Sequence, residues 1–183
     1  MLKRGDGSRP EARAAGQGDR PLDRNLAADA ERKLDRVLIG DVKDLIGDPA
    51  RFDWLIAADV LEHIWDPWKT LQAAASLGRK GGTVIVSVPN IRHHRALRRV
   101  ITEETRLRED QGVFDRTHLR WFTVSDALQL VRQAGFTDLE VHPIIWERSS
   151  YGLIGPRLLD LGERSPIREL LPAQTIVTGT RTG

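Results

Sequence analysis

Asp59, Glu62 and His63 stand within one short stretch, "AADVLEHIWDP" (57–67), which sets two carboxylates and an imidazole into an otherwise apolar run. On one helical turn the three would share a face. Three readings fit that spacing. It is a metal site, an acid–base site, or a helix start with Asp59 as N-cap, Glu62 as capping-box partner, and Val60, Leu61 and Ile64 facing the core. A second imidazole, His118, lies in "DQGVFDRTHLRWFT" (110–123). Imidazole titrates near working pH, so His63 and His118 are the candidate general bases. Two carboxylates and one imidazole on a single turn are too few ligands for a hard cation without further donors, and no metal is expected. Arg92, His93, His94, Arg95, Arg98 and Arg99 form a basic run balanced by Glu103, Glu104, Glu109 and Asp110. It reads as a solvated helix face or as a lip for an anionic acceptor. No aromatic residue interleaves with these arginines, which speaks against nucleic acid. Trp54, Trp65 and Trp68 are expected to pack in the core or between helices.

The elements that must carry these residues belong to one domain. The chain has 183 residues, 40% of them hydrophobic and 30% charged, with a formal charge of +2. That suits a globular protein with a polar surface. It has no cysteine, which excludes disulfides and thiolate metal sites and suits a cytoplasmic location. The longest apolar runs fall far short of the roughly 20 residues that span a bilayer. Residues 1–22 lack apolar periodicity and are expected to be disordered.

From residue 23 onward the pattern is regular. "NLAADAERKL" (25–34) reads as a helix, "RVLIGD" (36–41) as a buried strand, "VKDLIGDPARF" as a loop with one helical turn, and "FDWLIAAD" (52–59) as a second strand. Asp66 and Pro67 supply an N-cap and a first helical position, with Trp68, Leu71 and Ala75 inward and Gly78 at the end. Lys80-Gly81-Gly82 reads as a turn and "TVIVSVP" (83–89) as a third strand. Residues 91–110 read as a helix and a mobile segment. Thr123 starts another helix, with Asp126 as its capping partner, Val124, Leu128 and Val131 inward, and Gly135-Phe136 closing it. "LEVHPIIW" (139–146) reads as a strand in which Pro143 marks a break or an edge. Residues 153–171 read as two short amphipathic turns, and "QTIVTGT" (174–180) as a last strand. Strands alternating with amphipathic helices predict an α/β doubly wound sheet.

These segments together resemble the class I S-adenosylmethionine-dependent methyltransferases, most closely the small-molecule and glycan group. The residues that carry the resemblance are "RVLIGDV", the D-x-L-E-H turn at Asp59–His63, the Asp66-Pro67 helix start, the K-G-G turn, the strand ending in Pro89-Asn90, and "DRTHLRWFT". The resemblance implies a Rossmann-like, mostly parallel sheet with an antiparallel C-terminal strand, and S-adenosylmethionine as cofactor. It implies that Asp41 and Val42 meet the adenine, and that Asp59 and Val60 meet the methionine part. Asn90 would stand at the edge of the same crevice, and Asp115, His118 and Arg120 in the loop over the acceptor. His63 or His118 would serve as base. The acceptor would be a small molecule or glycan, methylated at oxygen.

The fold's usual strand order is 3-2-1-4-5-7-6, and its first strand leads into a Gly-rich turn. "AAGQGD" (14–19) contains G-x-G, but no apolar strand precedes it and "EARA" does not read as one. Strands one and two are therefore expected to be missing, with 23–183 a partial domain and "WLIAA" an exposed apolar edge. Two functions stay open: an active methyltransferase, and a non-catalytic truncated remnant that does not bind the cofactor productively.

Overall fold

The computed structural model describes residues 2–3, 12–14, 31–34, 37–39, 41–45, 51–102, 109–145 and 169–183. Seven strands run in chain order: β1 Leu2–Lys3, β2 Ala12–Ala14, β3 Val37–Ile39, β4 Phe52–Ala58, β5 Gly78–Pro89, β6 Phe136–Ile144 and β7 Gln174–Arg181. The helices α1 Pro67–Ala75, α2 His94–Thr102 and α3 Val124–Gln133 accompany them, with 3₁₀ turns at Val42–Leu45 and Leu61–His63. Residues 31–33 are helical, as expected of the 25–34 segment. Residues 103–108 and 146–168, which hold the expected mobile segment and most of the two amphipathic turns, lie outside the described residues.

One sheet has the order β1-β4-β5-β7-β6 and a second pairs β2 with β3. β4 and β5 are parallel, while β7 runs antiparallel to both β5 and β6. This is the Rossmann-like α/β sheet with an antiparallel C-terminal strand that the sequence predicts. Pro143 lies on β6, the last strand of its sheet, where its missing N–H costs no ladder bond. Among the described residues no helix is long and apolar enough to cross a membrane.

Val84, Val86 and Val88 of β5 and Val177 of β7 are fully buried and form the middle of the core. Leu71 and Ala75 of α1 and Ala127, Leu130 and Val131 of α3 close over them. Asp66 caps α1, its Oδ1 accepting from the Lys69 N–H at 3.1 Å. Thr123 and Asp126 form the expected capping box at α3. Gly135, with φ of 89°, lets the chain leave that helix toward the buried Phe136.

Several expectations are overturned. Lys80-Gly81-Gly82 is no turn between elements but part of β5. It lies where the β4–β5 register shifts between Phe52 and Trp54. That irregularity lets both Phe52 and Leu55 face the core, and it turns Trp54 outward to 42% exposure. Trp65 is 67% exposed. Of the three tryptophans expected inside, only Trp68 packs, against Phe122 at 6.2 Å between ring centroids. Helix α1 ends at Ala75, before Gly78, and the inward face of α3 carries Ala127 and Leu130 in place of Val124.

The N-terminal segment is not wholly without structure. Leu2–Lys3 pairs antiparallel with Leu55 and Trp54, and Ala12–Ala14 pairs parallel with Val37–Ile39. The apolar β4 edge therefore has a partner at two positions, and "ARA" is a strand although its sequence is not that of a buried one. Ladder bonds are made by backbone groups, and an unpaired edge recruits them from any extended segment.

Gly82 is pinned within the β5 irregularity. A Cβ there would lie 2.9 Å from the Arg79 carbonyl oxygen and 3.1 Å from that of Asp53. Both are backbone atoms and cannot move aside cheaply. Gly82→Ala is expected to lower folding stability by about 1–3 kcal/mol, measured by urea unfolding. A variant as stable as the parent would show that this bulge is loosely packed.

Candidate functional site

Ligands of an open α/β sheet bind beyond the carboxyl ends of its strands. Here β4 ends at Ala58 and β5 at Pro89, and a cavity of about 300 Å³ opens beside them. Asp59, Glu62, His63, Pro89, Gly112, Val113, His118, Ala173 and Gln174 line it. The residues come from four places: the turn after β4, the end of β5, the loop 109–122, and the start of β7.

Asp59 does not cap a helix. Its backbone is left-handed, with φ of 50°, and its Oδ1 accepts from Ser87 Oγ at 3.1 Å and from Gln174 Nε2 at 2.5 Å. The turn that follows is a single 3₁₀ turn whose N-cap, Val60, offers no side-chain acceptor. Leu61 and Ile64 enter the core as expected, and Val60 packs against it. Glu62 enters with them. Its side chain is 1% exposed, and Oε2 has no hydrogen-bond partner.

Burial is the main reason that the Glu62 carboxyl is pushed up to about 7. The negative charges of Asp59 and Asp115 add to the rise, and the residue's own backbone N–H partly offsets it. The Glu62 carbonyl oxygen meanwhile accepts from the N–H groups of Leu119 at 2.7 Å and Arg120 at 3.1 Å. Those bonds bring the loop onto the turn.

The loop delivers His118 to His63. Their rings meet edge-on with centroids 4.7 Å apart, and His118 Nε2 lies 4.0 Å from Glu62 Oε1. Each ring is held at Nδ1. His118 Nδ1 is 3.0 Å from the Val113 carbonyl oxygen, and His63 Nδ1 is 3.1 Å from that of Thr117. A carbonyl only accepts, so Nδ1 carries the hydrogen in both rings and Nε2 is the lone-pair nitrogen of the neutral form. Asp115 stiffens this arrangement by accepting from the Thr117 N–H and hydroxyl at 2.7 and 2.6 Å. Those two bonds, and the nearby imidazoles, hold its carboxyl below the usual carboxylate range. One ligand-type atom from each of Glu62, His63 and His118 lies within 4.8 Å of the others, a spacing that could also hold a metal ion.

The remaining predicted residues sit apart from the cavity. Asp41 follows β3, and Val42 opens the first 3₁₀ turn and packs against the core. Asn90 is 1% exposed. Its Nδ2 donates to the Glu169 and Pro172 carbonyl oxygens at 2.7 and 2.9 Å, and its Oδ1 accepts from the Arg92 N–H at 3.0 Å. It holds the approach to β7. Arg120 donates to the Trp65 and Leu119 carbonyl oxygens, with its guanidinium 5.2 Å from the Trp65 ring centroid. Sequence reasoning passed over Gln174, Ser87 and Thr117. Of the three readings of the Asp59–His63 spacing, the helix start made Glu62 a cap, although a carboxylate between Leu61 and Ile64 was a signal of burial.

Glu62 ties stability to pH. Its carboxyl ionises at about 7 in the folded chain and at the usual 4.5 in the unfolded one. The folded state therefore holds the proton more tightly. The stabilisation is complete below 4.5 and is lost as pH rises through 7. Glu62→Gln cannot ionise, so across that window the variant should gain about 3 kcal/mol relative to the parent. Urea unfolding of both chains from pH 4.5 to 8 measures this. Parallel stability curves would show that Glu62 ionises normally.

Comparison with known proteins agrees with this layout. A family model described as a methyltransferase domain matches residues 7–141, well over half of the chain. A methyltransferase from Thermotoga maritima, described as a possible histamine N-methyltransferase, superposes with a TM-score of 0.59 and 19% identity, over 93% of this chain and 72% of that one. One from Archaeoglobus fulgidus gives a TM-score of 0.58 and 13% identity over 94% and 76%. The 1,6-didemethyltoxoflavin-N1-methyltransferase of Burkholderia thailandensis, solved with its acceptor and S-adenosylhomocysteine, gives 0.52 and 19% over 93% and 61%. No curated protein matches. The chain therefore belongs to the methyltransferase domain family, whose fold is the class I fold and whose methyl donor is S-adenosylmethionine.

Proposed function

We propose that this chain transfers a methyl group from S-adenosylmethionine to an oxygen of a small-molecule or glycan acceptor held in the cavity beyond β4 and β5. The observation that carries this reading is the pair of imidazoles, His63 and His118, each fixed through Nδ1 at the wall of that cavity. Their neutral Nε2 atoms are the bases a hydroxyl nucleophile needs.

The residues present suit the cofactor. Asp41 stands at the end of β3, where its carboxylate can accept from an adenine amino group, with Val42 beside it. Asp59, with Val60 next to it, stands at the end of β4 and is fixed by Ser87 and Gln174. A carboxylate held there suits the ammonium end of an amino acid. When bound, S-adenosylmethionine supplies a methyl group already activated by a sulfonium leaving group.

The protein's part is placement and proton handling. The cavity walls bring the acceptor oxygen into line, which by itself accounts for much of the acceleration. One imidazole takes the hydroxyl proton at Nε2 as the oxygen attacks. Asn90, Asp115 and Arg120 support the acceptor side by holding the segments around it. Asn90 fixes the approach to β7, Asp115 fixes Thr117 and through it His63, and Arg120 fixes the loop to Trp65.

Calorimetric titration of the full chain with S-adenosylhomocysteine tests the reading. Binding in the micromolar range is expected, weakened about tenfold by Asp41→Ala, an interaction of about 1.4 kcal/mol. Absence of binding would overturn it in favour of a non-catalytic remnant. With an acceptor in hand, His63→Ala and His118→Ala should each lower kcat by about 10²-fold or more, the losses shrinking as pH rises and hydroxyls ionise unaided.

A further inference from the structure

The cavity's hydrogen-bonding character restricts what can enter it. The side-chain donors described along its walls are already engaged. Gln174 Nε2 donates to Asp59 Oδ1 and Ser87 Oγ, both at 2.5 Å, and both imidazole Nδ1–H groups are turned away to carbonyl oxygens. The side chains that line it otherwise offer acceptors, the imidazoles of His63 and His118 and the carboxylates of Asp59 and Glu62.

Among the described residues no lysine or arginine lines the cavity. Four described arginines of the neighbouring segments are engaged elsewhere. Arg92 pairs with Glu169, Arg99 with Glu109 and Arg116 with Asp110, while Arg120 is clamped over Trp65. The basic run at 92–99, read from sequence as a solvated helix face or as a lip for an anionic acceptor, has two of its arginines in such pairs.

We infer that the acceptor is a molecule of about one ring that presents hydroxyl or ammonium hydrogens to Glu62, His63 and His118, and that carboxylate- and phosphate-bearing molecules are rejected. This rests on the reading of the cavity as the acceptor site of a methyltransferase and names the acceptor's class. An anion carries only acceptors, so it would face the Glu62 carboxylate and the two imidazoles with no donor of its own. A hydroxyl or ammonium group supplies the donors that the walls lack. The volume of about 300 Å³ lies at the small end of ligand sites and suits a small molecule.

Three probes of one shape separate the cases: benzyl alcohol, benzylamine and benzoate. Their binding to the full chain is followed by saturation-transfer NMR at pH 8, with and without S-adenosylhomocysteine and with and without EDTA. The alcohol and the amine should bind, and benzoate should bind at least about tenfold more weakly. Glu62→Gln should narrow that gap. Should that variant fold poorly, Val113→Lys, which adds a cation to the wall, should reverse the order in favour of benzoate. Benzoate binding as well as the alcohol would overturn the inference. So would benzoate binding that EDTA abolishes, since a bound metal ion would then set the site's charge. Failure of S-adenosylhomocysteine to bind would sink the methyltransferase reading, while the ranking of the three probes, read on the chain alone, would still judge the cavity's chemistry.

Discussion

The site depends on one carbonyl group. The Glu62 carbonyl oxygen takes two backbone N–H groups, from Leu119 and Arg120, and so fastens the loop 109–122 onto the turn after β4. The turn itself has three residues and no side-chain cap. The loop is anchored again at its far end, where Phe122 is 1% exposed, its carbonyl oxygen accepts from the Ile91 N–H at 3.0 Å, and it bridges to Asn90. Directly before the first anchor, and with its Nδ1 on the Val113 carbonyl oxygen, His118 is held against His63. The two imidazoles meet because backbone bonds made by their neighbours leave them no alternative.

Magnitudes explain why a carboxyl can be held inside. Keeping Glu62 ionised in the fold costs about 3 kcal/mol near pH 8. Leu61 and Ile64, on either side of it, are 2% and 6% exposed. Burying each contributes about 1.5–3 kcal/mol. The flanking apolar burial outweighs the penalty, so the turn stays in place and carries the carboxyl with it. A helix start would have left Glu62 at the surface as a cap. Placed under two imidazoles, its proton affinity and its empty oxygen become properties of the cavity.

That difference also marks how far the sequence could be read. Helix starts signalled within a few residues, Asp66-Pro67 and Thr123 with Asp126, stand where their spacing puts them, because a cap is a local bond. Strands β4, β5 and β7 follow from their apolar runs. Asp59 could not be read the same way. Its carboxylate goes to Ser87 and to Gln174, 28 and 115 residues away, and with those partners taken it leaves the helix-cap geometry for a left-handed turn. His63 and His118 were legible as imidazoles of the right kind. Their meeting was not, because it is made by the carbonyls of Glu62, Val113 and Thr117, and every residue has a carbonyl. The outward Trp54 has a similar cause, a register shift at Phe52 that no alternation pattern announces.

The sheet edges follow the same logic of backbone groups seeking partners. β3 and β4 each carry an edge that only another strand can satisfy, and "ARA" and "LK" fill those positions without the composition of strands. The result places β2 beside β3 and β1 beside β4, which is the neighbour relation of the class I fold, with the difference that β1 runs antiparallel to β4. A parallel neighbour entering β4 would deliver its carboxyl end, and the turn after it, to the same side as Asp41 and Asp59. An antiparallel one delivers that end to the opposite side. The side of Asp59 is thus left to the carboxyl ends of β4 and β5, which run parallel to each other.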